Sequence, residues 1–371
     1  GQVVGVTPCV VTRPATPFAL EVAQDGFQPR RVTVDLLAPD LGPKLKLDPQ
    51  LRAVRWQIAA LGPLTAPPLV GINGAILAGS DQRVYGIAHD GVVRWTVRLS
   101  AFAVVLGSPV AVDEDMAVVV EARGSTGRAL ALDPRTGSTR WSRDLPGPEP
   151  RAIGVLAEGV LVSFSSGRLT LLDAKTGAPR WSLELGSPLA LPPTLSADRV
   201  AAVTEDGRVH LVGGLGKAEP LQVPGRLVVS PLAAPRGWNG WVVATETGEV
   251  SFVADTNGWS RRLPQPLGAA PFIVDNLIVA ACGSKLVALN LRDGTPRWER
   301  ELGSSALGEP GGRPGVVHVG AADGAVYAVS TQNGQPVWTF RAEGAVRAAP
   351  IVQRGAVFVA SEGGVLSAVI E

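Results

Sequence analysis

Of 371 residues, 44 are glycine and 31 proline, well above the roughly 12% combined share of an average chain, and these two types disfavour helix interiors most. A hydrophobic share of 46% is enough to offset the entropy of ordering the chain, and the glycines lack collagen's three-residue period, so an all-β protein of many short strands remains. Lys plus Arg number 34 against 33 for Asp plus Glu, which argues against a nucleic-acid partner, and no apolar run reaches the ~18 residues of a spanning helix.

In chain order, residues 1–52 read as an N-terminal extension of short strands or extended chain. Phe18-Ala19-Leu20-Glu21-Val22 and Arg31-Val32-Thr33-Val34-Asp35-Leu36-Leu37 have strand composition, and Pro39, Pro43 and Pro49 mark an extended connection onward. Cys9 and Cys282 are too few for a disulfide framework or a zinc site, and two separate thiols are the expectation.

From Trp56 the chain repeats. Trp56, Trp95, Trp141, Trp181, Trp259, Trp298 and Trp338 each open a short strand, as in Arg94-Trp95-Thr96-Val97 and Arg180-Trp181-Ser182-Leu183. One unit between Trp181 and Trp259 lacks its tryptophan, and the count puts Leu221 in that place. The intervals from Trp56 are then 39, 46, 40, 40, 38, 39 and 40 residues.

Each unit carries three apolar strands before the Trp strand. The last shows Ala349-Pro350-Ile351-Val352, then Gly355-Ala356-Val357-Phe358-Val359-Ala360, then Gly364-Val365-Leu366-Ser367-Ala368-Val369. Proline opens inner strands at Pro68, Pro109, Pro231, Pro271 and Pro350, where a missing donor does least harm. A 40-residue unit of four antiparallel strands is a propeller blade. Eight phased positions, seven tryptophans and Leu221, predict eight blades over residues 53–371. The last unit ends before its own fourth strand, so residues 53–58 are predicted to supply it and close the ring.

The link ahead of each Trp strand is the most specific feature. Ala131-Leu132-Asp133-Pro134-Arg135-Thr136-Gly137 leads to Trp141, and Leu171-Leu172-Asp173-Ala174-Lys175-Thr176-Gly177 leads to Trp181. The acidic, amide or hydroxyl side chain accepts turn amides, and the glycine takes positive φ. The tryptophan buries a large area between blades. This pattern resembles the pyrroloquinoline-quinone-like propeller repeat across residues 53–371, strongly in six blades and weakly in the fourth and fifth. Trp-Asp and Gly-His dipeptides of WD repeats are absent, and the three Gly-Gly pairs are out of phase for kelch units.

Catalytic motifs are sparse. His89 falls in a turn, His210 in a third strand and His318 in a second strand, each read as locally bonded. Asp113-Glu114-Asp115 lacks the spacing of a calcium loop and reads as a solvated turn. Gly213-Gly214-Leu215-Gly216 opens no helix, so it is a hairpin turn and not a phosphate cradle. One loop departs from the template: Pro235-Arg236-Gly237-Trp238-Asn239-Gly240 enlarges the first hairpin of blade five. Arg236 and Trp238 there have the composition of a partner-binding hot spot, while Trp241 is placed inside the following strand.

Quinoprotein dehydrogenases with this repeat carry adjacent cysteines, a calcium-binding set and a catalytic Asp. Cys9 and Cys282 are far from adjacent, so no catalytic, cofactor-binding or metal-binding residue is predicted and the chain reads as non-enzymatic. Among single-chain members of the repeat family, length and blade number are similar to the BamB-like outer-membrane assembly lipoproteins. That resemblance implies a monomeric scaffold in the periplasm or cell envelope, binding protein partners of the β-barrel assembly machinery. It also implies a lipidated cysteine, but Cys9 follows Thr7-Pro8, a poor cleavage context, so no lipid anchor is predicted. An extracytoplasmic ligand-binding or sensor propeller is the second reading, and a quinoprotein dehydrogenase the third.

Overall fold

Runs of Val, Leu, Ile and Ala broken every few residues by glycine favour strands over helices, and strands are the only regular elements among the described residues. The computed structural model describes residues 18–22, 30–34, 54–59, 62–64, 66–71, 74–79 and 82–371, apart from 102, 146, 148, 157–158, 197–198, 236, 239 and 255–257. The repeat folds into eight antiparallel sheets arranged as propeller blades. Blade six is representative, with Phe272–Val274, Leu277–Cys282, Lys285–Asn290 and Pro296–Glu301 following one another from inner to outer edge. Every residue of its second strand is buried, because neighbouring blades cover both faces. Its outer strand is mostly exposed.

Blade eight joins the two ends of this sequence. Val54–Ile58 pairs antiparallel with Leu366–Ile370, setting Trp56 opposite Ala368. Gln57 Nε2 donates to Ser367 Oγ at 3.0 Å across the same junction. The ring is therefore closed by main-chain hydrogen bonds, and the third strand of blade eight, Leu366–Ile370, is not left as an open edge.

Blade two accounts for the long interval of 46 residues. Its central strands Met116–Arg123 and Thr126–Leu132 are 8 and 7 residues long, and an added pair, Val104–Val105, lies against Ala122 and Glu121. Buried Glu121 accepts from Ser100 N at 3.0 Å and Ser100 Oγ at 2.7 Å and pairs with Arg128 at 2.7 Å, so the charge is fully partnered. Upstream of the ring, Phe18–Val22 pairs with Arg30–Val34 as an antiparallel hairpin. The second of these strands starts at Arg30 rather than Arg31, and residues 35–37 lie outside the described residues.

One apolar cluster fills each of the eight seams between blades. Seven of the eight contain the outer-strand tryptophan of the preceding blade. In six of them the indole Nε1 reaches over the seam and donates to a carbonyl in the next blade's last turn. The pairs are Trp56 to His89 (2.7 Å), Trp95 to Pro134 (3.0 Å), Trp141 to Ala174 (2.8 Å), Trp181 to Gly214 (2.8 Å), Trp259 to Leu291 (2.9 Å) and Trp298 to Thr331 (2.7 Å). Trp338 is buried against the ring of His318, with centroids 5.0 Å apart.

The turn glycine answers to two demands at once. Gly177 has φ +69°, and a Cβ there would lie 2.7 Å from Trp141 Cε3. Gly334 repeats this with φ +69° and Trp298 Cε3 at 2.7 Å. The left-handed backbone excludes most residues, and the flat indole face excludes even a methyl group.

The seam between blades four and five breaks the pattern, and the register corrects the sequence reading. In blade three Trp181 pairs with Leu171, and in blade five Trp259 pairs with Phe252. The matching partner in blade four, Leu211, faces Glu219; Leu221 lies two residues farther on, opposite Val209. Counting misplaced the position by two residues because blade three has a bulge ahead of its tryptophan and blade four has none, and because the blade-four turn, closed by Gly213 N on Lys217 O, is one residue shorter than that closed by Asp173 N on Ala178 O. The Glu219 side chain is 72% exposed and wedges nothing. Leu221 still packs, partly buried, against this seam, and Trp241 fills it from the opposite side, buried on the second strand of blade five with Leu211, Val243 and Leu227.

Candidate functional site on the outer rim

Each blade presents its last turn and its outer strand on the rim. In blade three Asp173 Oδ1 accepts from Lys175 N (3.1 Å), Thr176 N (3.0 Å) and Thr176 Oγ1 (2.9 Å), which holds the turn. Its Oδ2 receives Arg180 Nη2 at 2.6 Å. The Arg180 hydrogen bond, then that of Thr176, pulls this carboxyl down to about 2. Blade two repeats the arrangement, with Asp133 accepting from Arg135 N at 2.9 Å and meeting Arg140 at 3.0 Å. The arginine before the tryptophan thus clamps the strand to its own turn.

The residues considered for chemistry are dispersed over the ring. His89 lies in the last turn of blade one, where Arg354 Nη1 and His89 Nε2 are 3.0 Å apart. His210 sits in a third strand beside Thr204 Oγ1 at 3.2 Å, and burial lowers its pKa. His318 is fully buried in blade seven. In the 113–115 turn, Asp113 Oδ1 accepts from Asp115 N at 2.8 Å and Asp115 pairs with Arg135 at 2.9 Å. The 213–216 turn receives the Trp181 indole on Gly214. Among the described residues no three His, Cys, Asp or Glu side chains come together as metal ligands.

A quinone cofactor of the kind carried by dehydrogenases with this repeat sits under a disulfide of adjacent cysteines. Cys282 is a buried residue of a blade-six strand with a free thiol, and burial followed by the Glu299 charge pushes it up to about 11. Flanked by Ala281 and Gly283, this buried strand thiol has no neighbouring cysteine with which to form a vicinal disulfide, so among the described residues the thiol chemistry does not fit such a group. Cys9 lies outside the described residues.

In the enlarged hairpin of blade five, the half-buried Trp238 turns onto Phe252 edge-to-face, with centroids 6.0 Å apart and planes at 82°. Arg236 lies outside the described residues. Sequence reasoning did not identify the cross-seam role of Trp241 or the Arg–Asp clamps. The clamps were visible as an Asp seven residues before an Arg-Trp pair; the role of Trp241 had no local signal. Among the described residues no helix is long and apolar enough to cross a membrane.

A family described as outer membrane protein assembly factor BamB matches residues 44–154, 125–317 and 283–370. No curated protein matches the chain. Among solved structures, BamB from Moraxella catarrhalis aligns with a TM-score of 0.69 and 20% identity, covering 86% of this chain and 99% of that one. The computationally designed Ika8 protein aligns with a TM-score of 0.70 and 15% identity, covering 84% and 98%. Quinohemoprotein alcohol dehydrogenase from Comamonas testosteroni aligns with a TM-score of 0.66 and 14% identity, covering 86% and 76%. At these identities the three structures speak for the fold alone.

Proposed function

Because the chain belongs to the family of the outer membrane protein assembly factor BamB, we propose that it is a non-enzymatic protein–protein interaction scaffold of the cell envelope, acting in outer-membrane protein assembly. The observation that carries the reading is how the repeat uses its polar groups. Indole N–H groups and turn carboxylates are engaged in holding the ring, as in Trp298 on Thr331 and Asp173 on Arg180. What each blade offers outward is the free edge of its outer strand, a place for a partner to add main-chain hydrogen bonds.

A periplasmic or envelope location belongs to the same proposal, as do a division into an extension over residues 1–52 and a ring over 53–371, and partner contact at the 235–240 hairpin. Affinity capture from a native envelope fraction tests it: recovery of barrel-assembly components supports the scaffold, and recovery of soluble enzymes alone counts against it. Trp238→Ala separates fold from contact at the hairpin. Unchanged capture together with an unchanged melting temperature removes that loop from the proposal.

A further inference from the structure

Blade six departs from the rim chemistry of blades two and three. Where blades two and three begin the last turn with Asp133 and Asp173, blade six has Asn290. Asn290 Oδ1 still accepts from Arg292 N at 3.0 Å, so the turn is formed as before. The charge is gone, yet Arg297, in the place of Arg140 and Arg180, is retained. Blade seven lost both members of the pair, with Ser330 and Val337 in these positions. Arg297 therefore has no intramolecular reason to be charged, and it makes no ion pair among the described residues.

Two further arginines join it. Arg292 lies in the same turn, and Arg261 reaches over the seam from blade five to place Nε 3.1 Å from the Gly294 carbonyl. All three are exposed, and neither Arg261 nor Arg292 has an ion pair within the described residues. The turn's own carboxylate, Asp293, is occupied by Thr295 N (2.9 Å) and Thr295 Oγ1 (2.6 Å). The bonds from Thr295, then the charges of Arg292 and Arg261, hold the Asp293 carboxyl low. Arg261, Arg292 and Arg297 thus outnumber it on this rim, beside the free edge of Pro296–Glu301, whose own Glu301 lies 3.9 Å from Lys285 and whose Glu299 is exposed.

We propose that the rim at blades five and six, through Arg261, Arg292 and Arg297, docks an acidic extended segment of a protein partner. This rests on the scaffold reading and names the chemistry of one of its contacts. Guanidinium forks match carboxylates bidentately, and a surplus of cations at a strand edge selects an acidic strand over a neutral or basic one.

The test is fluorescence anisotropy with a labelled peptide of alternating glutamate and serine, beside its lysine–serine twin. The whole chain is expected to bind the acidic peptide and not the basic one, more weakly as salt rises. Arg261→Glu with Arg297→Glu should weaken binding by about tenfold or more. Asn290→Asp should weaken it about threefold without touching an arginine, because a new carboxylate engages Arg297 as Asp173 engages Arg180. Melting curves check that each variant folds. Arg98→Glu with Arg143→Glu, elsewhere on the rim, should leave binding within about twofold. Absence of acidic-peptide binding, or equal losses from the two double reversals, overturns the inference. Envelope capture unaffected by Arg261→Glu and Arg297→Glu would sink it while leaving the scaffold reading intact.

Discussion

Alanine at Gly334 isolates the packing demand of the wedge from the demand of the backbone. Gly334 and Gly355 both have φ +69°, but a Cβ at Gly334 meets Trp298 Cε3 at 2.7 Å whereas at Gly355 nothing lies within 4 Å. Left-handed backbone costs alanine about 1–2 kcal/mol, partly offset by about 0.4–1 kcal/mol of unfolded-state entropy. Gly355→Ala should therefore cost about 1 kcal/mol. Gly334→Ala adds an overpacking cost of about 1–3 kcal/mol, because the buried indole is held by its bond to Thr331 and cannot withdraw. Urea unfolding of both variants measures the difference. A double-mutant cycle with Trp298→Leu should return most of that difference as coupling. Equal costs for the two glycine substitutions, or no coupling to Trp298, would refute the wedge as the reason for this glycine.

Trp241→Ala should destabilise by about 3–5 kcal/mol, the scale of a buried indole, while Glu219→Ala should stay within about 0.5 kcal/mol; the reverse order would show that Glu219 and not Trp241 supports that seam. Cys282 should resist iodoacetamide at pH 8 in the native chain and react only in denaturant, as peptide mass mapping would reveal, because burial holds its thiol near 11. Asp173 should contribute to acid stability. Its folded value of about 2 lies below the unfolded value of ~3.9, so its stabilisation is present above pH ~4 and is lost as pH falls through about 2. Melting temperatures of the native chain and Asp173→Asn should differ at pH 5 and converge near pH 2.

Much of the ring was legible in the sequence because a propeller repeats one local solution. Period, turn glycines and inner-strand prolines are all set within some 40 residues, so each blade declares itself independently. Closure was legible too, since the surplus strand at Trp56 and the missing one after Val369 were the same object. Functional groups were harder. Arg236 and Trp238 stood out by composition, yet the indole of Trp238 lies on Phe252. The rim cluster at Arg261, Arg292 and Arg297 was invisible because Arg261 comes from blade five and meets the other two, in blade six, only across the seam.

The sequence by itself determined what a single blade is: strand, turn, strand, with a glycine where φ must be positive and a tryptophan at the outer strand. It could not decide what happens between blades. The absence of a one-residue bulge and a turn one residue shorter together put Glu219, not Leu221, opposite the strand position that tryptophan faces in other blades, since register depends on hydrogen bonding across the sheet. Only the packed ring then assigned that seam to Trp241, because filling a cavity between two sheets depends on volume from either side and leaves no mark in the local pattern.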